Sequence, residues 1–384
     1  MQHYIGIYEN AGFSILLLIF PWMLLRVINK IRYTFKINAV ILSVVPLLLY
    51  HLYAMFIHGI SLSKILYNGY MILFIILVVL KCINVSIVVK TAITVCSLAS
   101  IALVAQYFCY YILGFHLQLV PTDLLLEESS SWILGAKTGL YNIRGGYNGF
   151  YRPSAFFLEP SHFSLYSIPC LCMLLLSHSP EKKRIKKAAL LTVGLVLSTS
   201  GLGIVICIFI WGIYILFYEG KSANSKKIML TPNKMFLIIG FLALLLVLYL
   251  TVDTIRNTVN RIFIEEGKSS AIGGRTNQAL LLVKKLSGKA IIFGLTDDAS
   301  NISFNMPGFF ATMYKKGLIG IVLSYAFYCG SMFKTKGRYF WLSTLLVLLS
   351  FFTAHTHGTF FMLYFMMFLI GGYDERDREK ALER

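Results

Sequence analysis

Apolar runs close to the length of a bilayer-crossing helix recur along this 384-residue chain, separated by short polar connections. About 20 apolar residues are needed to cross the hydrocarbon core as a helix. A water-soluble domain would have to bury every such run in one core, and single cores stop growing near about 300 residues. With 57% hydrophobic and 14% charged residues and a mean hydropathy of +0.73, the chain lacks the polar surface a soluble fold of this size requires. The runs are too long and continuous for barrel strands, and hydrocarbon offers no partners to open backbone groups, so the expected class is an all-α polytopic membrane protein. The first run is too long for a signal peptide and has no small-residue cleavage site, so it reads as a retained helix.

Eleven spans are expected (10–12 allowing for breaks), near 10–28, 38–57, 68–88, 91–113, 162–178, 187–200, 203–219, 234–251, 309–332, 339–353 and 357–372. The sixth and seventh read equally as one broken element, because Ser200, Gly201 and Gly203 leave almost no loop. Residues 1–384 then form a single integral membrane domain.

Net charge is +18, from 35 basic and 17 acidic residues. On a soluble chain that balance would suggest nucleic acid. Here the basic residues fall in alternate loops: NKIRYTFK (29–36), PEKKRIKK (180–187), the stretch holding Lys221, Lys226, Lys227 and Lys234, and FKTKGR (333–338). Cationic loops face the cytoplasm. One orientation satisfies them all, with the N-terminus outside and the tail DERDREKALER inside; no nucleic-acid partner is expected, and the bilayer is. The cysteines Cys82, Cys96, Cys109, Cys170, Cys172, Cys207 and Cys329 lie in or beside apolar runs without zinc-ligand or secreted-disulfide spacing, which points to packing.

This orientation leaves two long outer segments, 114–161 and 252–308, as the places with room for chemistry in the aqueous phase. Long loops are usually functional. The first ends in YRPSAFFLEPSHFSLY (151–166). Pro160 suits the first turn of a helix, which puts Glu159 at the cap and His162 in the first turn. The free N–H groups of such a helix start favour an anion, and the Arg152 guanidinium has a planar fork matched to phosphate oxygens. Upstream, RGGYNG (144–149) is a flexible approach carrying Arg144 and Tyr147. Each residue also has a plain structural explanation: Arg152 as a headgroup anchor, Glu159 as a helix cap, His162 as an interface histidine. Tyr147, Tyr151 and Phe157 suit stacking on sugar faces or an interfacial aromatic belt.

In the second segment, Thr276–Leu286 reads as a short amphipathic helix in the interface plane, opened by Arg275 after two glycines, stopped near Gly288 and wet on its Lys284–Lys285 side. HTHG (355–358) places His355 and His357 two residues apart, which on a helix point to nearly opposite sides. No metal site and no cofactor are expected.

The motif RPSAFFLEPSHFSLYSI (152–168) resembles the end of the first large outer loop in bacterial Wzy-type O-antigen and capsule polymerases. LSTSGLGIVI (197–206) resembles the family's serine-rich helix hairpin, and GGRTNQALLLVKKLSGKAIIFGLT (273–296) its arginine-opened interfacial helix ending in a Phe-Gly turn. MYKKGLIGIVLSY (313–325) resembles the span that follows; the motifs cover about 150–330. The resemblance implies the membrane glycosyltransferase (GT-C-like) fold shared with O-antigen ligases and peptidoglycan-polymerising SEDS proteins. It implies metal-independent inverting transfer of a saccharide from a polyprenyl diphosphate carrier to a sugar hydroxyl, at the outer face of a bacterial plasma (inner) membrane. A flippase and a chain-length regulator would be the partners. In the ligase relatives a His-Asn pair begins the later span; here SFN (303–305) supplies Asn305 without a histidine, leaving His162, His355 or His357 as substitutes.

With an arginine-based site, the developing charge on the diphosphate falls to Arg152 and Arg275, with Arg144 a weaker third. Glu159 is the general-base candidate, and His162, three residues on, is placed to orient the acceptor or share the proton. Asn305, His355, His357, Tyr147 and Tyr151 are the weaker sugar-contacting candidates. Competing classes are a ligase-like transferase with another acceptor, a polysaccharide or lipid-saccharide transporter, and a scaffold. A transporter would keep ionisable groups at mid-depth, whereas here the charges gather in the two outer segments.

The topology makes a direct prediction. Alkaline phosphatase fused after residue 130 is expected to be active, and after residue 225 inactive, with the reverse pattern for a fluorescent-protein fusion. The opposite pattern would overturn the orientation.

Overall fold

The computed structural model describes residues 21–28, 39–80, 82, 85–119, 140–141, 150–151, 153–157, 160–176, 183–217, scattered positions between 239 and 260, 271–295, 306–334 and 338–352. These residues are predominantly helical, as the apolar runs require. After a helical stretch at 21–28, the elements are α1 (Ala39–Phe56), α2 (Leu62–Val79), α3 (Val85–Tyr111), β1 (Leu140–Tyr141), β2 (Phe150–Tyr151), α4 (Pro160–Leu176), α5 (Arg184–Leu197) and α6 (Gly201–Phe217). They continue with α7 (Ala271–Lys284), α8 (Lys289–Phe293), α9 (Gly308–Lys334) and α10 (Arg338–Phe352). Within α3, Ile87–Tyr111 is the one helix among the described residues that is long and apolar enough to cross a membrane; shorter apolar helices include Val44–Phe56, Lys64–Val79, Pro160–Leu176 and Gly201–Leu216.

The comparison with the expected spans is mixed. α4 starts at Pro160, where the missing proline N–H costs nothing. The sixth and seventh spans are two helices, α5 and α6, separated by Ser198–Ser200. α2 starts at Leu62 because Ser61 caps it, its hydroxyl accepting from the Lys64 N–H at 3.3 Å, six residues earlier than hydropathy suggests. The antiparallel pair Leu140↔Tyr151 and Tyr141↔Phe150 is a feature the apolar pattern does not announce. The eleventh span, 357–372, lies outside the described residues.

The chain forms two compact units, one of residues 86–270 with 1–9, the other of 10–85 with 271–384. In the first, α4 packs on α5 and α6 around the fully buried Phe163, Ile168, Leu171 and Leu191. Small residues set the approach: a Cβ on Gly194 would overlap the Ser100 side chain of α3, and one on Gly203 would overlap that of Ser164 in α4. The Cys96 thiol contacts the Tyr166 carbonyl and lies 3.6 Å from the Cys170 sulfur, and all seven cysteines are free.

In the second unit, α9 packs against α1, α8 and α10 around Leu47, Met71, Ile75, Phe327 and Tyr328. Here two glycines meet back to back. Gly317 breaks α9 with φ 63 and ψ −162, and Gly294 ends α8 with φ 78 and ψ −179. A Cβ on Gly294 would overlap the Lys315 backbone, and one on Gly317 the Ile292 carbonyl. The Leu295 N–H donates to the Tyr314 carbonyl at 2.9 Å. The Tyr53 hydroxyl of α1 lies 3.2 Å from the Phe293 carbonyl and 3.0 Å from that of Lys316, and the His58 Nε2–H donates to the Lys315 carbonyl at 2.9 Å. These contacts satisfy carbonyls that the break in α9 and the end of α8 release from helical bonding.

Gly294→Ala and Gly317→Ala would each impose about 1–3 kcal/mol of backbone strain in a region used almost only by glycine, with steric overlap in addition. Gly212→Ala meets open space. Thermal unfolding of the detergent-solubilised protein is expected to show a lowered midpoint for the first two and no loss for the third. Equal midpoints for all three would refute the close crossing.

Candidate functional site

The candidate site is built around the entry to α4. Gln106, near the end of α3, reaches two parts of the first outer segment: its side-chain oxygen accepts from the Ala155 N–H at 2.9 Å, and its Nε2 donates to the Leu117 carbonyl at 3.0 Å. The Tyr151 hydroxyl donates to the Gln106 backbone carbonyl at 3.3 Å. Tyr151 is 3% exposed; its ring stacks on Tyr110 at 4.1 Å and meets Tyr107 edge-on at 5.6 Å and His116 at 5.7 Å. Burial, followed by the neighbouring Cys109, Tyr110 and Tyr111, pushes its hydroxyl up to about 12, so it stays a neutral donor at physiological pH.

Residues 153–157 then turn toward the helix. The Phe157 N–H donates to the Ser154 carbonyl at 2.9 Å, and the Ser154 hydroxyl donates to the Phe157 carbonyl. Ala155 takes φ 54, a left-handed conformation unusual for alanine and held by the bond to Gln106. Phe157 packs edge-on against the buried Phe163 at 5.7 Å and tilted against Tyr166 at 5.6 Å.

Beneath the first turns of α4 lies a buried hydroxyl cluster. The Ser164 and Ser198 hydroxyl oxygens are 3.3 Å apart; Ser164 donates to the Pro160 carbonyl at 3.1 Å and Ser198 to the Leu195 carbonyl at 2.8 Å. The Ser200 N–H closes the turn on Ser198 Oγ at 3.4 Å, and Thr199 at φ 50 is buried between them. The serine-rich turn thus supports the helix start where His162 sits, half-buried, in the first turn. Fixed hydroxyls and a fixed helix start hold a polar entrance in place without contributing charge.

Among the sequence-predicted residues, Arg152, Glu159, Arg144, Tyr147, Asn305, His355 and His357 lie outside the described residues. Tyr151 has its ring covered by Tyr110 and its hydroxyl bonded, so it acts here as an anchor of the outer segment, not as a sugar-stacking surface. Arg275 is not at a helix start: α7 begins at Ala271 and takes Gly273 and Gly274 into its first turn, so Arg275 is its fifth residue. The open N-terminal donors therefore belong to residues before Arg275. Glycine costs about 1 kcal/mol in a helix, and the packing of α7 against α9 through Ala279, Met306 and Ala311 overrides it. Lys284 and Lys285 are exposed, and Gly288 separates α7 from α8. Arg275 belongs to the second unit and the α4 entrance to the first.

Two polar features escape a reading of the sequence. Gln106 is one, because its partners are 11 and 49 residues away. The other is the buried pair His51–Asn68 between α1 and α2. Asn68 Nδ2 donates to the Lys64 carbonyl at 2.9 Å, which turns its oxygen toward His51 Nδ1 at 3.0 Å. Nδ1 therefore carries the proton, and the buried Nε2 is a lone pair with no hydrogen-bond partner among the described residues. No group of three or more potential metal-ligating side chains occurs among the described residues.

Comparison with protein-family models, with curated proteins and with solved structures gives no match.

Replacing Gln106 with leucine would leave the buried Ala155 N–H unpaired, a penalty of about 1–3 kcal/mol. Cleavage within 114–161 by trypsin is expected to accelerate about tenfold, since cleavage follows the open population. An unchanged rate would show that Gln106 does not hold the segment.

Proposed function

We infer that this chain is a multi-pass enzyme of the bacterial plasma (inner) membrane, with about eleven spans, that polymerises polyprenyl-diphosphate-linked oligosaccharide repeat units on the outer face. The observation that carries this reading is the entrance to α4. A proline-started helix with His162 in its first turn rests on the buried Ser198–Ser200 turn, and the chain leading to it is tied down by Gln106. The flanking residues Arg152 and Glu159 are the cation and the carboxylate that glycosyl transfer from a diphosphate requires.

The helix directions agree with that topology. In the first unit, the ends assigned to the outer face come together: the end of α3, the start of α4 and the α5–α6 turn. In the second, the end of α1 meets the outer half of α9. Large apolar residues on the open faces of the helices, such as Leu49, Leu52, Phe56 and Val322, suit contact with lipid.

In the mechanism, the guanidinium groups of Arg152 and Arg275, with Arg144, bind the diphosphate and take up charge as the glycosidic C–O bond breaks. Glu159 accepts the proton of the attacking sugar hydroxyl, and His162 orients that hydroxyl. Inversion follows from a single displacement. A flippase supplying the repeat unit and a chain-length regulator complete the system.

Arg152→Ala and Arg275→Ala are each expected to abolish polymer, read on gels of cell-surface polysaccharide, while membrane levels of the protein hold. Glu159→Gln is expected to lower turnover by at least about 100-fold, the usual contribution of a general base. Normal polymer from both arginine variants would overturn the diphosphate assignment, and near-normal turnover by Glu159→Gln would remove it as the base.

A further inference from the structure

One buried carboxamide serves both ends of the first outer segment. Gln106 is 5% exposed; its Nε2 donates to the Leu117 carbonyl at 3.0 Å and its Oε1 accepts from the Ala155 N–H at 2.9 Å. A carboxamide suits this place because it donates and accepts at once without carrying a charge. The backbone carbonyl of the same residue takes a further bond, from the Tyr151 hydroxyl at 3.3 Å.

The bonds to Tyr151 and Ala155 bracket Arg152 in the chain. Tyr151 precedes it directly and is buried, stacked on Tyr110 at 4.1 Å and paired with Leu140 across β1 and β2. Pro153, Ser154 and Ala155 follow it and are buried too. Ala155 sits at φ 54, which is unfavourable for a residue with a Cβ, so the bond to Gln106 helps the backbone keep that conformation. The Ser154–Phe157 turn then delivers the chain to α4.

This arrangement bears on charge stabilisation. A donor lowers the barrier only when it is already aimed at the place where charge develops, and a misplacement of about 1 Å is costly. A cation in a long outer segment would otherwise carry the backbone freedom of that segment. Holding the residues on both sides of Arg152 to one residue of α3 removes most of it. Gln106 is buried and neutral, so it acts through the chain it holds.

We propose that Gln106 is a positioning residue for the transfer reaction, clamping the chain on both sides of Arg152 so that the guanidinium meets the carrier diphosphate. This rests on the diphosphate reading given above and assigns that reading a residue which touches no substrate.

The test is calorimetric titration of the purified full-length protein in detergent with farnesyl diphosphate, a short soluble prenyl diphosphate, at constant salt. Gln106→Leu is expected to raise Kd about tenfold, the equivalent of one charge-assisted contact. Tyr151→Phe keeps the ring packing and removes the hydroxyl bond, so it tests the clamp in a protein with an unchanged core; about a threefold rise is expected. Arg152→Ala alone should weaken binding by at least about tenfold, and in that background neither variant should add more than about twofold. A purely structural role would leave the affinity of the folded protein unchanged or cut it by the same factor in both backgrounds, and either result would overturn the proposal. Wild-type binding that is lost in Arg152→Ala but equal in Gln106→Leu and Tyr151→Phe would remove the clamp and leave the diphosphate reading standing. No binding by the wild type would remove the diphosphate reading and the clamp with it.

Discussion

A peptide group in hydrocarbon has no water to bond, and every unsatisfied donor or acceptor there costs several kcal/mol. A chain that spans a membrane, as proposed above, must therefore close its backbone bonds within each segment, and helices follow. The same constraint governs where the helices stop. At each break described here a nearby group takes up the released donors or acceptors: Ser61 at the start of α2, Gln106 at Ala155, Ser198 between α5 and α6, and Tyr53 with His58 at the end of α8 and the break in α9. Helix association in lipid gains little from hydrophobicity, since lipid tails are as apolar as leucine. On the membrane-spanning reading proposed above, close approach through Gly194, Gly203, Gly294 and Gly317 supplies packing contacts instead.

The two units use this logic at the ends where chemistry is proposed. In the first, the helix that should carry the carboxylate and histidine is supported by a buried hydroxyl turn and tied back to α3. In the second, the helix carrying Arg275 connects through Gly288 to α8, which is locked against α9 by backbone contact. In the proposed reaction, stabilising the departing diphosphate falls to the charged groups of the outer segments.

Much of this was legible in the sequence, for physical reasons. Helical class followed from run length, and the start of α4 followed from Pro160. What failed was what depends on distant partners. Gly273 and Gly274 look like a break ahead of Arg275, yet α7 runs through them because its apolar side packs on α9. Gly294 and Gly317 are 23 residues apart, and nothing local announces that each needs the other's lack of a Cβ. Tyr151 looks like an interfacial aromatic; its burial follows from the tyrosines at the end of α3. The His51–Asn68 pair is invisible because hydropathy averages it into two apolar runs.

The central claim is that the chain joins carrier-linked repeat units. The most direct measurement is mass spectrometry of lipid-linked saccharides from cells lacking the protein, complemented with wild type or Arg152→Ala. The account predicts accumulation of single repeat units on polyprenyl diphosphate, cleared by wild type and not by the variant. Accumulation of long carrier-linked polymer would mark a ligase instead, and no accumulation of either would contradict transferase function altogether.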